Sequence, residues 1–365
     1  MDRGGAETLI MNVYRNLDKT RFQFDFVTHC SDNGDYEHEI EDMGGKIYKI
    51  SSLGQLGPIA YVSKLIKIMK NQQYIAVHSH TDYQSGFPAL AAKIAGIEHR
   101  ICHSHSTNWL KGERLKDTVI LKTLKTVIKF SATKYCSCSK EAADFLFGRS
   151  FIKNERVSIL KNGIDVNQFS TNKSTCRKEV LKELNLPENA IIIGHVGRFS
   201  ESKNQGFLLK IMKRLIEEEP RYVALLVGDG PMKQQIAREA EDLGITNQIR
   251  FLGVRDDIPT LMSAFDVFLF PSLFEGFGIV TIEAQCAGTA CILSDAVPKE
   301  TDMDLGLVSY INLDGTIEIW CQKVKEALKV KGPEKEVIHK RIEDKGYSIG
   351  QNIEEWLSLY GLNAT

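Results

Sequence analysis

The sequence predicts an α/β protein of two doubly wound domains, each a parallel sheet covered by helices, facing one another across a cleft. Three observations carry that expectation. Short β-branched or aromatic runs alternate with amphipathic helical stretches along the whole chain. The 365 residues, 43% of them apolar, are too many for one comfortable core and suit two domains of ordinary size. The alternation breaks once, at 162–176, where Asn162-Gly163 and a polar stretch of Asn, Gln, Ser and Thr interrupt it.

In the first half the runs place strands at 22–29, 46–50, 74–80, 100–106, 134–139 and 157–160. In the second half they fall at 191–197, 222–228, 248–252, 267–271, 290–294 and 307–311. These give an N-terminal Rossmann-like domain at 1–168 and a C-terminal one at 169–345. A last helix at 349–360 follows Gly346, stops before Gly361, and carries Ile353, Trp356, Leu357 and Tyr360 on one side. Such a helix needs an apolar surface to cover, and either domain could supply it. One element is missing. A sheet of this kind grows outward from a first strand that precedes its Gly-rich turn, yet here the turn arrives at Gly4-Gly5. Either upstream residues are absent or the first domain is incomplete.

Composition excludes several classes. No run of about 18 apolar residues exists, and Met1 leads to Asp2, Arg3 and two glycines, so neither a membrane span nor a secretory leader is expected. The eight cysteines form no CxxC pair and sit mostly in apolar segments, the pattern of reduced core thiols in a cytoplasmic protein. Residues 1–170 carry 23 Lys and Arg against 18 Asp and Glu, and the remainder 23 against 29. Much of the excess lies between Lys111 and Lys134, alternating with Leu, Val and Ile at helical spacing. This is either a solvated helix face or a basic patch resting on anionic lipid, at the inner face of the cell membrane. No aromatic residues interleave with those lysines, which argues against nucleic acid.

The strongest chemical signal is the segment from Phe268 to Glu283. An apolar strand ends at Pro271-Ser272, a Gly-containing loop follows Glu275, and a helix opens near Ile279. The amides of Gly276, Phe277, Gly278 and Ile279 then lie at a helix start, where an anion binds. Glu275 and Glu283 flank that mouth and suit the neutral hydroxyls of a sugar and a ribose. The alternative is a plain helix start with a dipole-complementing Glu275. The second signal is Gly194 to Asn204, where Arg198 and Lys203 follow a strand's carboxyl end and offer a fork and a point charge for two phosphates. A surface pair of cations is the other reading. Third, Gly4-Gly5-Ala6-Glu7 opens a helix as either a ligand cradle or an ordinary loop. Fourth, His78 and His80 end one strand and His103 and His105 the next, each pair sharing a face. They could bind substrate hydroxyls, serve structure, or hold zinc, although no third ligand type stands ready to complete a shell.

Gly197-Arg198 with Lys203-Asn204, the Glu275-x7-Glu283 pair and the Gly4-to-Glu7 turn together resemble the retaining GT-B glycosyltransferases of family 4, the group 1 transferases. The likeness is greatest to the exopolysaccharide and capsule branch, through Gly4–Asn12, His103–Asn108 and Ser272–Ser294, and it covers essentially the whole chain. The resemblance implies transfer of a hexose-type sugar from a nucleoside-diphosphate sugar, with UDP the family's commonest carrier and GDP the alternative, to a glycan or lipid-linked acceptor. No metal and no further cofactor are implied. Arg198 and Lys203 would hold the diphosphate and Gly5 would bring it an amide. Glu275 would bind the donor sugar, near the amides of Phe277, Gly278 and Ile279, and Glu283 the ribose. Arg255 matches a position beside the base. His105 matches the histidine near the reacting centre, with His103 the alternative. His80, His103 and Glu7 are acceptor-side candidates.

Three rival readings remain at this level. A nucleotide-sugar epimerase of the same architecture would lack an acceptor groove. A catalytically degenerate binding module would fit the missing strand. A dinucleotide-dependent oxidoreductase would need a GxGxxG turn with an acidic residue about 20 positions on, and neither first strand is followed by one.

Overall fold

The computed structural model describes residues 5–29, 34–106, 115–169 and 172–362. Met1, Asp2, Arg3, Gly4, Asn108 and Lys111, named above, lie outside the described residues. The chain divides into two compact units, one of Met1–Ile164 with Gly346–Thr365 and the other of Asp165–Lys345.

The first unit holds strands β1 (Phe26–Thr28), β2 (Ile47–Lys49), β3 (Ala76–Ser79), β4 (His99–Ser104), β5 (Lys134–Ser137) and β6 (Val157–Ile159). Its principal helices are α1 (Gly5–Asn16), α2 (Pro58–Lys70), α3 (Gly86–Ala95) and α4 (Leu115–Ser131). All pairings are parallel, but the strands form two sheets, β1-β2 and β3-β4-β5-β6. The strand expected at 22–29 shortens to three residues, with Phe22 folded back by its amide onto the Asp18 carbonyl at 2.9 Å. The C-terminal helix (Ile349–Leu359) packs here, where Trp356, Leu357 and Tyr360 share a core with Leu9, Met11 and Tyr14 of α1. It is tied down at its start, where Ile164 N donates to Tyr347 O at 2.7 Å and Ile349 N to Ile164 O at 3.0 Å.

The second unit holds β7 (Ile191–Val196), β8 (Tyr222–Val227), β9 (Ile249–Gly253), β10 (Val267–Phe270), β11 (Ala290–Ser294) and β12 (Val308–Ile311) in one parallel sheet of order β12-β11-β10-β7-β8-β9. Its helices include α5 (Lys173–Glu183), α6 (Gln205–Glu218), α7 (Ile258–Ala264) and α8 (Ile279–Cys286). Strands β8, β10 and β11 are buried at every residue, as strands covered on both faces must be. Gly194 in β7 lets this core close, because a Cβ there would lie 1.9 Å from the Phe265 ring. The strand order reverses between β7 and β10. In open sheets of this kind the crevice outside the carboxyl ends of those two strands is the ligand position.

Candidate functional site

Both switch-point strands deliver chemistry. After β7 come Gly197-Arg198 and then a short turn, Glu201–Lys203; after β10 comes the loop 271–278 and α8. The two loops are stitched together: Leu273 N donates to Ser202 O at 2.8 Å, and the Asn204 side-chain amide to Pro271 O at 3.1 Å. That stitching brings Lys203 Nζ into an ion pair with Glu275 Oε1. Ser272 Oγ donates to the same oxygen at 2.9 Å. Ser272 is itself fully buried, and its carbonyl accepts from Ser294 Oγ at 2.5 Å. The Glu275 side chain is 6% exposed and the Lys203 side chain 19%, so this pair is largely desolvated. Arg198 is exposed and its guanidinium makes no ion pair among the described residues. Behind them, buried His195 is pushed down to about 4 by desolvation, and its Nδ1 lies 3.0 Å from Leu269 O.

Helix α8 starts from Gly278, whose φ of +83° is the left-handed conformation that glycine adopts without strain. Among the described residues no side chain caps that first turn. Phe277, Gly278 and Ile279 therefore stand at a helix start whose dipole favours an anion. Gly276 has open space around it, with nothing within 4 Å of a notional Cβ. Glu283, one turn inside, is pushed up to about 7 by burial. This shift has a definite sign. Between the ordinary value of 4.5 and about 7 the folded chain keeps a proton that the unfolded chain has released. Its contribution to stability is thus full below about 4.5 and is lost as pH rises to about 7, by about 3 kcal/mol. Glu283→Gln should remove that part of the slope in denaturant titrations across this window, and a slope unchanged by the substitution would contradict the assignment.

Arg255 follows the end of β9. Its Nε donates to Asp257 Oδ1 at 2.8 Å and its terminal nitrogens reach Glu183 Oε1 at 2.6 Å and Asp257 Oδ2 at 2.7 Å. The guanidinium bridges the end of α5 to the start of α7.

In the first unit the four strand-end histidines form one stack. Ring centroids lie 4.2 Å apart for His78 and His80 and 4.1 Å apart for His103 and His105. Across the strands, His78 Nε2 is 3.2 Å from His103 Nδ1, and His80 Nδ1 is 2.9 Å from His105 Nε2. Burial drives His78 down to about 3 and holds His80 and His103 well below their ordinary value. Burial also lowers His105, against the pull of nearby Asp82. All four are neutral imidazoles at neutral pH, each with one donor and one acceptor nitrogen. A donor atom from each of His78, His80 and His103 lies within 4.8 Å of the others, a grouping able to hold a metal ion. The expectation of no metal rested on a missing third ligand type, whereas the structure groups three imidazoles. Asp82 was not singled out in the sequence; with φ of +49° it accepts from the amides of His105 at 2.7 Å and Ser106 at 3.1 Å. Gly5 begins α1, and a Cβ there would meet nothing within 4 Å, so no close approach demands glycine. Glu7 is half-buried on the same helix. Ser272 lay inside a quoted motif without a role, whereas Tyr360, whose hydroxyl is 2.9 Å from His78 Nδ1, gave no chemical signal.

A doubly wound sheet with cations and a carboxylate at its switch point is the arrangement of a nucleotide-binding α/β domain. Two family models match: Glycosyltransferase Family 4 over residues 3–168 and Glycosyl transferases group 1 over residues 177–303. The chain belongs to the group 1, family 4 glycosyltransferases and is a transferase enzyme of the GT-B fold. Among individual relatives, it is 40% identical to the putative glycosyltransferase EpsF of Bacillus subtilis, across 100% of this chain and 94% of the relative. It is 26% identical to the UDP-Gal:alpha-D-GlcNAc-diphosphoundecaprenol alpha-1,3-galactosyltransferase of Escherichia coli, over 75% of this chain and 72% of that one. Among solved structures, HepE of Anabaena in complex with UDP and glucose superposes with a TM-score of 0.69 at 22% identity, covering 97% of this chain and 91% of that one. Among the described residues no helix is long and apolar enough to cross a membrane.

Proposed function

We propose that this enzyme transfers a hexose-type sugar from a UDP-sugar, with retention at the anomeric carbon, to a glycan or lipid-linked acceptor in polysaccharide biosynthesis. The observation that carries the reading is the convergence of Lys203, Glu275 and Ser272 from the two strand ends at the switch point, beside the uncapped start of α8. The name of the galactosyltransferase relative and the UDP held by HepE support the carrier and the lipid-linked acceptor.

In this reading the acceptor oxygen attacks the anomeric carbon on the face from which the diphosphate departs. The sugar–phosphate bond breaks through an oxocarbenium-like state, its electron pair passes to the leaving phosphate oxygen, and that oxygen takes the acceptor's proton. The chain stabilises negative charge growing on the diphosphate through Arg198, Lys203, the amides at Gly276 to Ile279 and an amide of Gly5. Glu275 holds sugar hydroxyls, Glu283 holds the ribose, and Arg255 stands near the base while paired with Asp257 and Glu183. His105, with His80, His103 and Glu7, serves the acceptor side. No metal or further cofactor is required by this scheme. Helix α4 gives the enzyme a peripheral seat on the inner face of the membrane: Val119, Ile120 and Phe130 are 59%, 46% and 66% exposed beside exposed Lys122 and Lys129.

Screening nucleotide sugars for thermal stabilisation tests the donor, since a ligand bound by the native state alone raises the melting temperature. A UDP-hexose is expected to give the largest shift. Following the product's anomeric configuration by NMR tests retention; an inverted product or a preference for GDP-sugars would refute the corresponding part of the scheme.

A further inference from the structure

Strands β3 and β4 run side by side in parallel, so their carboxyl ends meet at one edge of the four-stranded sheet, where His80 and His105 stand. Beyond a strand end the ladder stops, and each main-chain amide needs another partner. On the side of β5 the ladder closes with Cys138 N donating to Ser104 O at 3.1 Å. At the next two residues a single side chain takes over. Asp82 Oδ1 accepts from His105 N at 2.7 Å and from Ser106 N at 3.1 Å, and Asp82 Oδ2 accepts from Ser106 Oγ at 2.7 Å. The other hold on this main chain among the described residues is a weak one, the Cys138 thiol 3.7 Å from His105 O.

Asp82 lies 23 positions before His105, in the turn Asp82–Gln84 that follows β3. Its φ of +49° is in the left-handed region, which residues other than glycine enter rarely and keep only where their surroundings over-determine it. Here they do: Gln84 N donates to Thr81 O and Ser85 N to Asp82 O, each at 3.0 Å, and the fully buried Ser85 donates from Oγ to Ser79 O at 3.3 Å. An aspartate that serves its own turn accepts from an amide two residues on. Asp18, Asp165 and Asp302 do so in this chain, with Thr20, Asn167 and Asp304. Asp82 instead reaches across to the neighbouring strand end. We propose that Asp82 is a positioning residue for sugar transfer: it fixes the main chain at His105 and Ser106, and through it the His105 ring, while touching neither donor nor acceptor. The role depends on His105 serving the acceptor side, as proposed above. The ring is then held from two directions, by Asp82 through its own backbone and by His80, whose Nδ1 is 2.9 Å from His105 Nε2. Misplacing a reacting group by about 1 Å lowers a rate about 10²-fold, which is the scale on which such a hold matters.

The test is a double-mutant cycle in the full chain with Asp82→Ala, Asp82→Asn, His105→Ala and the pair Asp82→Ala with His105→Ala. Each variant is assayed well below its own melting temperature, with the nucleotide sugar that stabilises the unsubstituted chain most. Asp82→Ala is expected to lower kcat at least about tenfold while the donor KM stays within about twofold, because Arg198, Lys203 and Glu275 stand in the second unit. It should also speed amide hydrogen exchange at His105 and Ser106 at least about tenfold. Asparagine tolerates the left-handed conformation and keeps an acceptor oxygen for the two amides, so Asp82→Asn should recover most of the rate. On the His105→Ala background, Asp82→Ala should lower kcat no further. Should Asp82→Ala not fold, Asp82→Gly, unstrained at this φ, takes its place. Normal kcat in Asp82→Ala beside an impaired His105→Ala would overturn the proposal and leave the reading of His105 standing. The full loss persisting on the His105→Ala background would do the same, as an aspartate that merely stabilises the fold lowers both backgrounds alike. An Asn variant no better than Ala would place the effect on the charge rather than on the amides, and also overturn it. Normal turnover in His105→Ala would overturn both the proposal and the reading on which it stands.

Discussion

Arg198→Ala is expected to lower turnover about 10² to 10³-fold while leaving the melting temperature unchanged, and Lys203→Ala to lower both. The difference lies in what each cation does before donor binds. Arg198 is exposed and makes no ion pair among the described residues, so its loss removes only an interaction with developing negative charge, worth about 3 to 4 kcal/mol in comparable sites. Lys203 is paired with a Glu275 carboxylate that is 6% exposed. Removing the lysine strands that carboxylate, which costs about 3 kcal/mol or more of stability besides the lost catalysis. Steady-state kinetics together with thermal melts separate the two effects. Near-normal turnover in a folded Arg198→Ala protein would remove the diphosphate assignment.

Glu275→Ala should reduce transfer by a comparable factor, yet leave binding of UDP alone intact or tighter. Lys203 and Glu275 neutralise each other, and Ser272 donates to the same carboxylate. A donor diphosphate competes for the lysine and, in doing so, frees the carboxylate to accept from sugar hydroxyls. Truncating Glu275 removes the sugar's partner and also removes the lysine's competitor. Calorimetry with UDP and kinetics with the matching sugar nucleotide read these separately. Unimpaired transfer would place the sugar elsewhere, and a loss of UDP binding equal to the loss of transfer would mean that Glu275 acts by holding the loop rather than the sugar.

The sheets were legible because strands buried on both faces read as short apolar, β-branched runs, and all twelve observed strands overlap the expected ones. The residues following β7 and β10 were found because ligand chemistry in such sheets follows carboxyl strand ends. Less was readable wherever a side chain's partner is remote. Arg255 was read only as matching a position beside the base, whereas its guanidinium is committed to Glu183, 72 positions away. The four histidines were seen as two separate pairs, whereas hydrogen bonds of 2.9 and 3.2 Å join them across strands.

Local periodicity and strand-end residue types already specify parallel α/β architecture in both halves of the chain and which loops carry cations and carboxylates, because strand formation and helix starts depend on neighbours a few residues away. The Lys203–Glu275 pair, the neutral histidine stack and the contact of His78 with Tyr360, 282 positions on, arise only when distant segments pack. A hydrogen bond or a desolvated charge depends on a separation of about 3 Å, and no spacing along the chain encodes that distance.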